Sequence, residues 1–277
     1  ARKIEIEKMD RRITVPPVRD ELSELADTFN HMLDRLEAGF KQQQRFVSDA
    51  SHELRTPVTV ILGYSDLLSR WGRSDEEVLD EGISSIRSEA EDMQQLIEKL
   101  LFLARADQQR QVLHKENTEL SELVEDVMRK MKLVTKTHSV DLLENEPGVI
   151  YADQVTMRQM MRIFLENSTK YTPAGGHITA RSRRTADGQY MQLELADDGI
   201  GIAREDQQKV FDRFYRVDAS RTKAQGGVSG TGLGLSIASW IAEQHGIEIS
   251  MESDLGKGTT MILKIPLVQK DSPKQLN

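Results

Sequence analysis

From Leu22 to Leu68 one residue in every three or four is apolar, in alternating steps: Leu22, Ala26, Phe29, Leu33, Leu36, Phe40, Gln43, Val47, Ala50, Leu54, Pro57, Ile61, Tyr64 and Leu68. Gln43 breaks the polarity and Pro57 the backbone pattern, but the spacing is that of a heptad seam along a long helix. A second seam follows at Leu79, Ile83, Ile86, Ala90, Met93, Ile97, Leu100 and Ala104. Between them Gly72 is a helix breaker, and Ser74 with Glu77 reads as a capping box opening the second helix. The pair predicts an antiparallel helical hairpin. One hairpin cannot enclose two full seams, whereas two copies forming a four-helix bundle can, so a homodimer is expected.

Beyond Ala104 the pattern changes. Asp107–Gln111 is polar and reads as a linker. Leu120–Met131 and Val155–Ser168 carry helical periodicity, and Ile178–Arg181, Tyr190–Ala196, Ile247–Met251 and Thr260–Leu267 alternate as strands do. The expected fold is therefore multi-domain: an N-terminal coiled coil and dimeric four-helix bundle, then an α/β two-layer sandwich. The segments expected are 1–41 (a relay helix), 42–110 (the hairpin), 111–268 (the layered domain) and 269–277 (a polar tail).

Composition narrows the chemistry. Lys+Arg 37 against Asp+Glu 45 gives a net charge of −8, which disfavours broad attraction to nucleic acid, and no nucleic-acid partner is expected. With Cys 0, disulfides, thiolate metal sites and thiol nucleophiles are excluded. No apolar run reaches the roughly 20 residues that span a bilayer. The chain opens in mid-element on a charged segment without an initiator Met, so a membrane anchor is expected upstream of it.

Two groups of residues carry candidate chemistry. With Val47 at heptad position a and Ala50 at d, His52 falls at f, furthest from the seam, where a solvent-facing imidazole is available to react. Its neighbour Glu53 can hydrogen-bond one ring nitrogen and leave the other as a lone pair. Pro57 is expected to bend the helix just below. In the second region, Asn167 and Lys170 stand at i and i+3, offering an amide oxygen suited to Mg²⁺ and an ammonium suited to phosphate. Tyr171 can stack on a base. Asp197, at a strand end before Gly199 and Gly201, can accept the exocyclic amine of adenine. Gly230-Thr231-Gly232-Leu233-Gly234 opens a helix whose free N–H groups make a phosphate seat. The third glycine comes too early for a dinucleotide fingerprint, and no Walker A sequence is present.

His52-Glu53-Leu54-Arg55-Thr56-Pro57 matches the H-box of sensor histidine kinases. The order Asn167…Asp197-x-Gly199-x-Gly201…Phe211…Gly230-x-Gly232-x-Gly234…Gly256-x-Gly258 resembles the ATP-binding domain shared by histidine kinases, gyrase, Hsp90 and MutL. Leu22–Leu36 resembles the second helix of a HAMP signal-relay module. The resemblance implies that His52 is the phosphoacceptor, Glu53 its base, and Thr56 the residue that positions water for a reverse phosphatase reaction. It further implies Asn167 on Mg²⁺, Asp197 on adenine, Gly230–Gly234 on the phosphates, and Arg216 on the γ-phosphate. Val217–Ser229 is expected to be a mobile lid. The implied cofactors are ATP and Mg²⁺, and the implied partner is a response regulator receiver domain. The implied setting is the cytoplasmic part of a protein anchored in the bacterial membrane. Three departures from the family stand out: Ile163 for a second Asn, Ser168 for Ala, and Ile247 for the second Gly after His245. A plain ATPase of the same fold, a phosphatase and a dimeric scaffold with a degenerate nucleotide site remain as rival readings.

Overall fold

A computed structural model describes residues 12–13, 21–72, 75–217 and 230–268. The chain divides into two units, residues 1–94 and 95–277, with the cut inside the second helix. The expected lid beyond Val217 and the polar tail lie outside the described residues, as does most of the segment before α1.

In the first unit, α1 (Glu21–Trp71) is one helix of 51 residues. The expected boundary at 41/42 falls inside it, and the helix continues through Pro57 without ending there. A proline forfeits one backbone hydrogen bond and strains one turn, at about 3 kcal/mol, and the turns on either side continue regardless. Leu22, Leu36 and Val47 are more than half exposed, so much of the seam is uncovered within a single chain. Upstream of the helix, the Ile13 N–H donates to the Asn30 side-chain oxygen while the Asn30 amide donates to the Ile13 carbonyl. Arg12 forms ion pairs with Asp34 and Glu37.

The turn into α2 (Glu76–Asp107) differs from expectation. Asp75 is its cap, because its carboxylate accepts the N–H groups of Glu77 and Val78 at 3.1 and 3.2 Å. Ser74 lies outside the described residues. A carboxylate at this position meets both free N–H groups and the positive end of the helix dipole. The hairpin is tight: a Cβ on Gly82 would come within 2.7 Å of Leu68 Cδ2.

In the second unit the end of α2 is anchored rather than free. Phe102 meets Trp240 edge-on at 5.2 Å, and Asp107 receives both Arg213 Nη atoms at 2.5 and 2.7 Å. The helix closes with Gln109 at φ 54° and the Arg110 N–H on the Arg105 carbonyl. Asp107 is therefore part of a helix held by a bidentate ion pair, which corrects the reading of 107–111 as a linker from its first residue.

The remainder is an α/β sandwich. Strands β1 (Glu116–Glu119) and β3 (Val149–Ala152) pair antiparallel. The main sheet, in order β2-β4-β5-β7-β6, contains β2 (Ser139–Asn145), β4 (His177–Arg184), β5 (Tyr190–Asp197), β6 (Glu248–Asp254) and β7 (Gly258–Pro266). Only the β2–β4 pairing is parallel. One sheet face buries Ile178, Ala180, Leu193, Leu195, Leu263 and Ile265. The other carries Arg181, Arg183 and Glu194 in a small ion-pair group. Helices α3 (Leu120–Val134), α4 (Gln154–Tyr171) and α5 (Gly234–His245) form the second layer. Each is amphipathic in the helical sense: α4 buries Met157, Met160, Met161, Phe164, Leu165 and Ser168. α4 and α5 approach so closely that a Cβ on Gly234 would meet Ile163 Cγ2 at 3.2 Å.

Candidate nucleotide site and phosphoacceptor

The second unit gathers the sequence-selected residues around the C-terminal end of α4. Asn167 is half-buried, and among the described residues its side chain has no hydrogen-bond partner. Lys170 places its ammonium over the Tyr171 ring, 4.9 Å from the centroid, and against Gly230, where a Cβ would overlap Nζ. Burial, and secondarily the charge of Arg216, hold this ammonium's pKa below the usual lysine value. Gly230 and the residues after it thus bring main chain directly onto a cation, ahead of the free N–H groups of α5. Among the described residues no side chain caps that helix; its N-cap is the buried Leu233. Thr231 is half-buried beside it. The Gly232 carbonyl accepts the N–H of Phe214, a non-glycine residue held at φ 61°. Strain of that kind persists only where surrounding contacts impose it.

Asp197 ends β5 beside α4. Its Oδ2 accepts from the Ser168 hydroxyl at 2.8 Å, and its Oδ1 from the N–H groups of Gly199 and Thr259 at 3.0 and 3.2 Å. Burial raises its carboxyl above the usual range, against these three hydrogen bonds. Gly199 packs against the Tyr171 carbonyl, where a Cβ would stand 2.6 Å away. The same carbonyl accepts the Ile200 N–H at 3.1 Å, tying the end of α4 to the glycine turn. Gly201 follows at φ 68°. The cleft therefore sets a partly dehydrated carboxylate at one end and an ammonium with free helix N–H groups at the other. This arrangement can hold a hydrogen-bond-donating ring and a polyanion together. A groove of ≈ 1230 Å³, lined by Met131, Arg158, Leu165, Lys170 and Thr172 among others, adjoins this site at Lys170 and does not include Asp197 itself.

In the first unit, His52 and Thr56 are exposed one helical turn apart and Glu53 is half-buried. The imidazole is open to solvent.

Three family models match in series along the chain. Residues 5–38 match a HAMP domain. Residues 42–109 match the His Kinase A (phospho-acceptor) domain. Residues 152–269 match the histidine kinase-, DNA gyrase B- and HSP90-like ATPase. The chain belongs to the sensor histidine kinases of two-component systems. Among curated sensor histidine kinases, YkoH of Bacillus subtilis is 39% identical over 248 residues, covering 88% of this chain and 52% of YkoH. ArlS of Staphylococcus haemolyticus is 36% identical over 246 residues, covering 87% and 52%. The chain thus spans about half the length of the curated relatives it matches. In fold alone, the histidine kinase ThkA, solved in complex with the response regulator TrrA, superposes with TM-score 0.62 at 21% identity, covering 84% of this chain and 66% of ThkA. The histidine kinase AdeS of Acinetobacter baumannii gives 0.57 at 23% identity, covering 79% and 98%.

Two departures from the histidine kinase pattern acquire a physical account. Ile163 is buried against Gly234 and fills the α4–α5 contact instead of lining the cleft with a second amide. Ser168 supplies the hydroxyl that Asp197 accepts. Sequence reasoning missed this second role, and its only trace is the polar residue where the family has Ala. It also missed Thr259, whose main chain alone takes part.

Proposed function

We propose that this chain autophosphorylates on His52 at the expense of ATP and passes the phosphoryl group to an aspartate of a response regulator. It does so as a homodimer, within a longer protein anchored in the bacterial membrane. The observation that carries this reading is the cleft, where a half-buried carboxylate, an unpartnered amide and a partly desolvated ammonium meet a glycine-lined helix N-terminus, in a chain that also presents an exposed H-box histidine.

In this mechanism Asp197 accepts the adenine amine, Tyr171 stacks on the ring, and Gly199 and Gly201 let the main chain approach it. Lys170, Arg216 and the α5 N-terminus receive the triphosphate. Asn167 holds Mg²⁺. The donor fits: the Asn167 amide is half-buried and without a hydrogen-bond partner among the described residues, and Mg²⁺ with ATP takes few protein ligands. When bound, the ion offsets charge on the phosphate oxygens. One imidazole nitrogen of His52 attacks the γ-phosphorus with its lone pair, and the bond to the β–γ bridging oxygen breaks. ADP leaves with that electron pair. Glu53 takes up the proton of the other ring nitrogen. Thr56, exposed one turn along, supports a second activity, positioning water to hydrolyse the partner's acyl phosphate.

Incubation with Mg²⁺ and γ-labelled ATP is expected to give an acid-labile, alkali-stable protein label that is absent from His52→Gln. A label that survives in His52→Gln, or no label in the wild type despite ATP binding, rejects the autokinase reading.

A pH effect follows at the phosphate end. The Lys170 ammonium is the form that binds phosphate, and its pKa is depressed first by burial and then by Arg216. ATP affinity should therefore fall at a lower alkaline pH than an ordinary lysine would give. Arg216→Gln should move that fall upward in pH, whatever it does to affinity at neutral pH. Calorimetric titrations from pH 7.5 to 10 would show the fall unmoved if Lys170 is not the titrating group.

A further inference from the structure

α4 and α5 flank the cleft at one end and are joined at the other by a buried histidine. His245, the last residue of α5, is 9% exposed. Its Nδ1 lies 2.7 Å from the Ile241 carbonyl, and its Nε2 lies 3.0 Å from the backbone nitrogen of Asp153. A carbonyl can only accept and a backbone N–H can only donate. The ring must therefore be neutral, with its proton on Nδ1 and a lone pair on Nε2. Asp153 is the N-cap of α4: its Oδ1 accepts the Thr156 N–H at 2.9 Å and the Thr156 hydroxyl at 3.0 Å. Its Oδ2 accepts the His114 N–H at 2.8 Å, from the segment that leads into β1. One junction thus ties together the end of α5, the start of α4 and the approach to the domain.

We infer that His245 is a positioning residue for the nucleotide cleft, acting through Asp153 and only as the neutral imidazole. Because α4 and α5 are pinned at this junction and touch again at Ile163 and Gly234, the junction fixes the angle between the helix bearing Asn167 and Lys170 and the helix that opens the phosphate seat. A proton on Nε2 would set one N–H against another and force the two helix ends apart. The surroundings favour the neutral ring. Burial lowers the imidazole pKa most, and the Lys115 ammonium, itself on the Gln244 carbonyl, lowers it further. The Ile241 hydrogen bond and the Asp153 carboxylate pull the other way. Tyr151 shares a cavity of ≈ 200 Å³ with His245, and Ile247, Ile265 and Pro266, which also line it, bring no charge. Asp153 stays ionised through the acid range that matters. Burial works to raise its carboxyl, but hydrogen bonds from Thr156 and His114 outweigh it and hold the group below the usual value.

The sign follows from a depressed folded-state value. The unfolded chain, or a cleft that has opened, takes up the proton first, near pH 6.5. Neutral-junction stability is therefore complete above that pH and is lost as pH falls below it.

The inference rests on the reading of the cleft as an ATP site, and the test separates the two. ATP affinity and melting temperature are measured on the full chain between pH 7.5 and 5.5 for wild type, His245→Gln and His245→Leu. A glutamine can place its side-chain oxygen where Nε2 accepts from Asp153, and it does not titrate. At pH 7.5 we expect Gln to bind ATP like the wild type and Leu roughly fivefold more weakly. On acidification the wild type should lose roughly fivefold in affinity relative to Gln, with its melting temperature falling faster. Asp197 contributes equally to both curves and cancels. Parallel pH curves for wild type and Gln, or a Leu variant with wild-type affinity, overturn the role of His245. Absence of ATP binding by the wild type at every pH overturns the nucleotide reading and this role with it. A melting difference between wild type and Gln would then mark a purely structural junction.

Discussion

Asp197→Asn is expected to weaken ATP binding by roughly a hundredfold, about 2–3 kcal/mol, while the protein melts no lower than the wild type at pH 7.5. The two halves of this expectation come from the same geometry. Asn Oδ1 can keep both N–H donors, from Gly199 and Thr259. Its Nδ2 can donate to Ser168 Oγ, whose hydroxyl turns from donor to acceptor. The apo site then keeps its main-chain hydrogen bonds and carries no partly dehydrated charge. For the native carboxylate the folded value is raised, chiefly by burial, so between the unfolded value and that raised one the folded state holds the extra proton. Stability is lost as pH climbs through this window, and at neutral pH the dehydrated charge is a net cost that Asn removes. Ligand binding meets the reverse situation. The exocyclic amine of adenine would face an amide N–H₂, donor against donor, and a site built around a hydrogen bond discriminates strongly when that bond is lost. Calorimetry with ATP and thermal melting on the same preparation test both halves. Undiminished affinity would remove Asp197 from adenine recognition; lost cooperativity of melting would show that the charge holds the fold.

The second large effect is on stability. Gly201 and Gly256 both have positive φ, 68° and 77°, yet alanine should be far worse at the first. Around Gly256 a Cβ meets nothing within 4 Å, so Gly256→Ala should cost about 1 kcal/mol for the left-handed backbone. At Gly201 a Cβ would overlap the carbonyl oxygen of Asp254, which is main chain of the β6–β7 turn and cannot rotate away. That turn is also tied to the glycine loop by the Gly256 N–H on the Ile200 carbonyl and by Ser253 Oγ under the Ile202 N–H. Gly201→Ala is expected to lose on the order of 3–4 kcal/mol, strain plus overpacking. Urea unfolding followed by circular dichroism would decide, and equal midpoints for the two variants would contradict the close approach.

These effects indicate what could be read from the chain alone. Helices α3 and α4 and the central strands β5 and β7 are legible because their apolar positions repeat against a single core, and α1 because its apolar positions keep a long heptad spacing. The polar strand Glu116–Glu119 and the short β3 are not, since they form by pairing with each other across a long stretch of intervening chain, β3 with a further bridge from Ile150 to Leu267. β2 has an irregular register at Leu142/Glu144 that spoils its alternation. In the site, residue type and order picked out Asn167, Lys170 and Asp197, because their chemistry is specific to the task. The supports, Ser168, the Thr259 main chain and His245, gain meaning only from what lies opposite them. The same is true of Asp75 as cap and of Asp107, whose partner Arg213 is remote in sequence.

The length of α1 has a mechanical consequence. Asn30, which grips the Ile13 main chain, and His52 stand about six turns apart on one uninterrupted helix, a span of about 33 Å. At about 100° per residue they return to within roughly 40° of the same azimuth. Pro57, where a joint would be easiest to form, lies beyond His52. Between the grip and the histidine the helix therefore behaves as a drive shaft without a coupling. A few degrees of twist applied at Asn30 would arrive undiminished at the imidazole, re-aiming it around the axis while hardly changing its height along it.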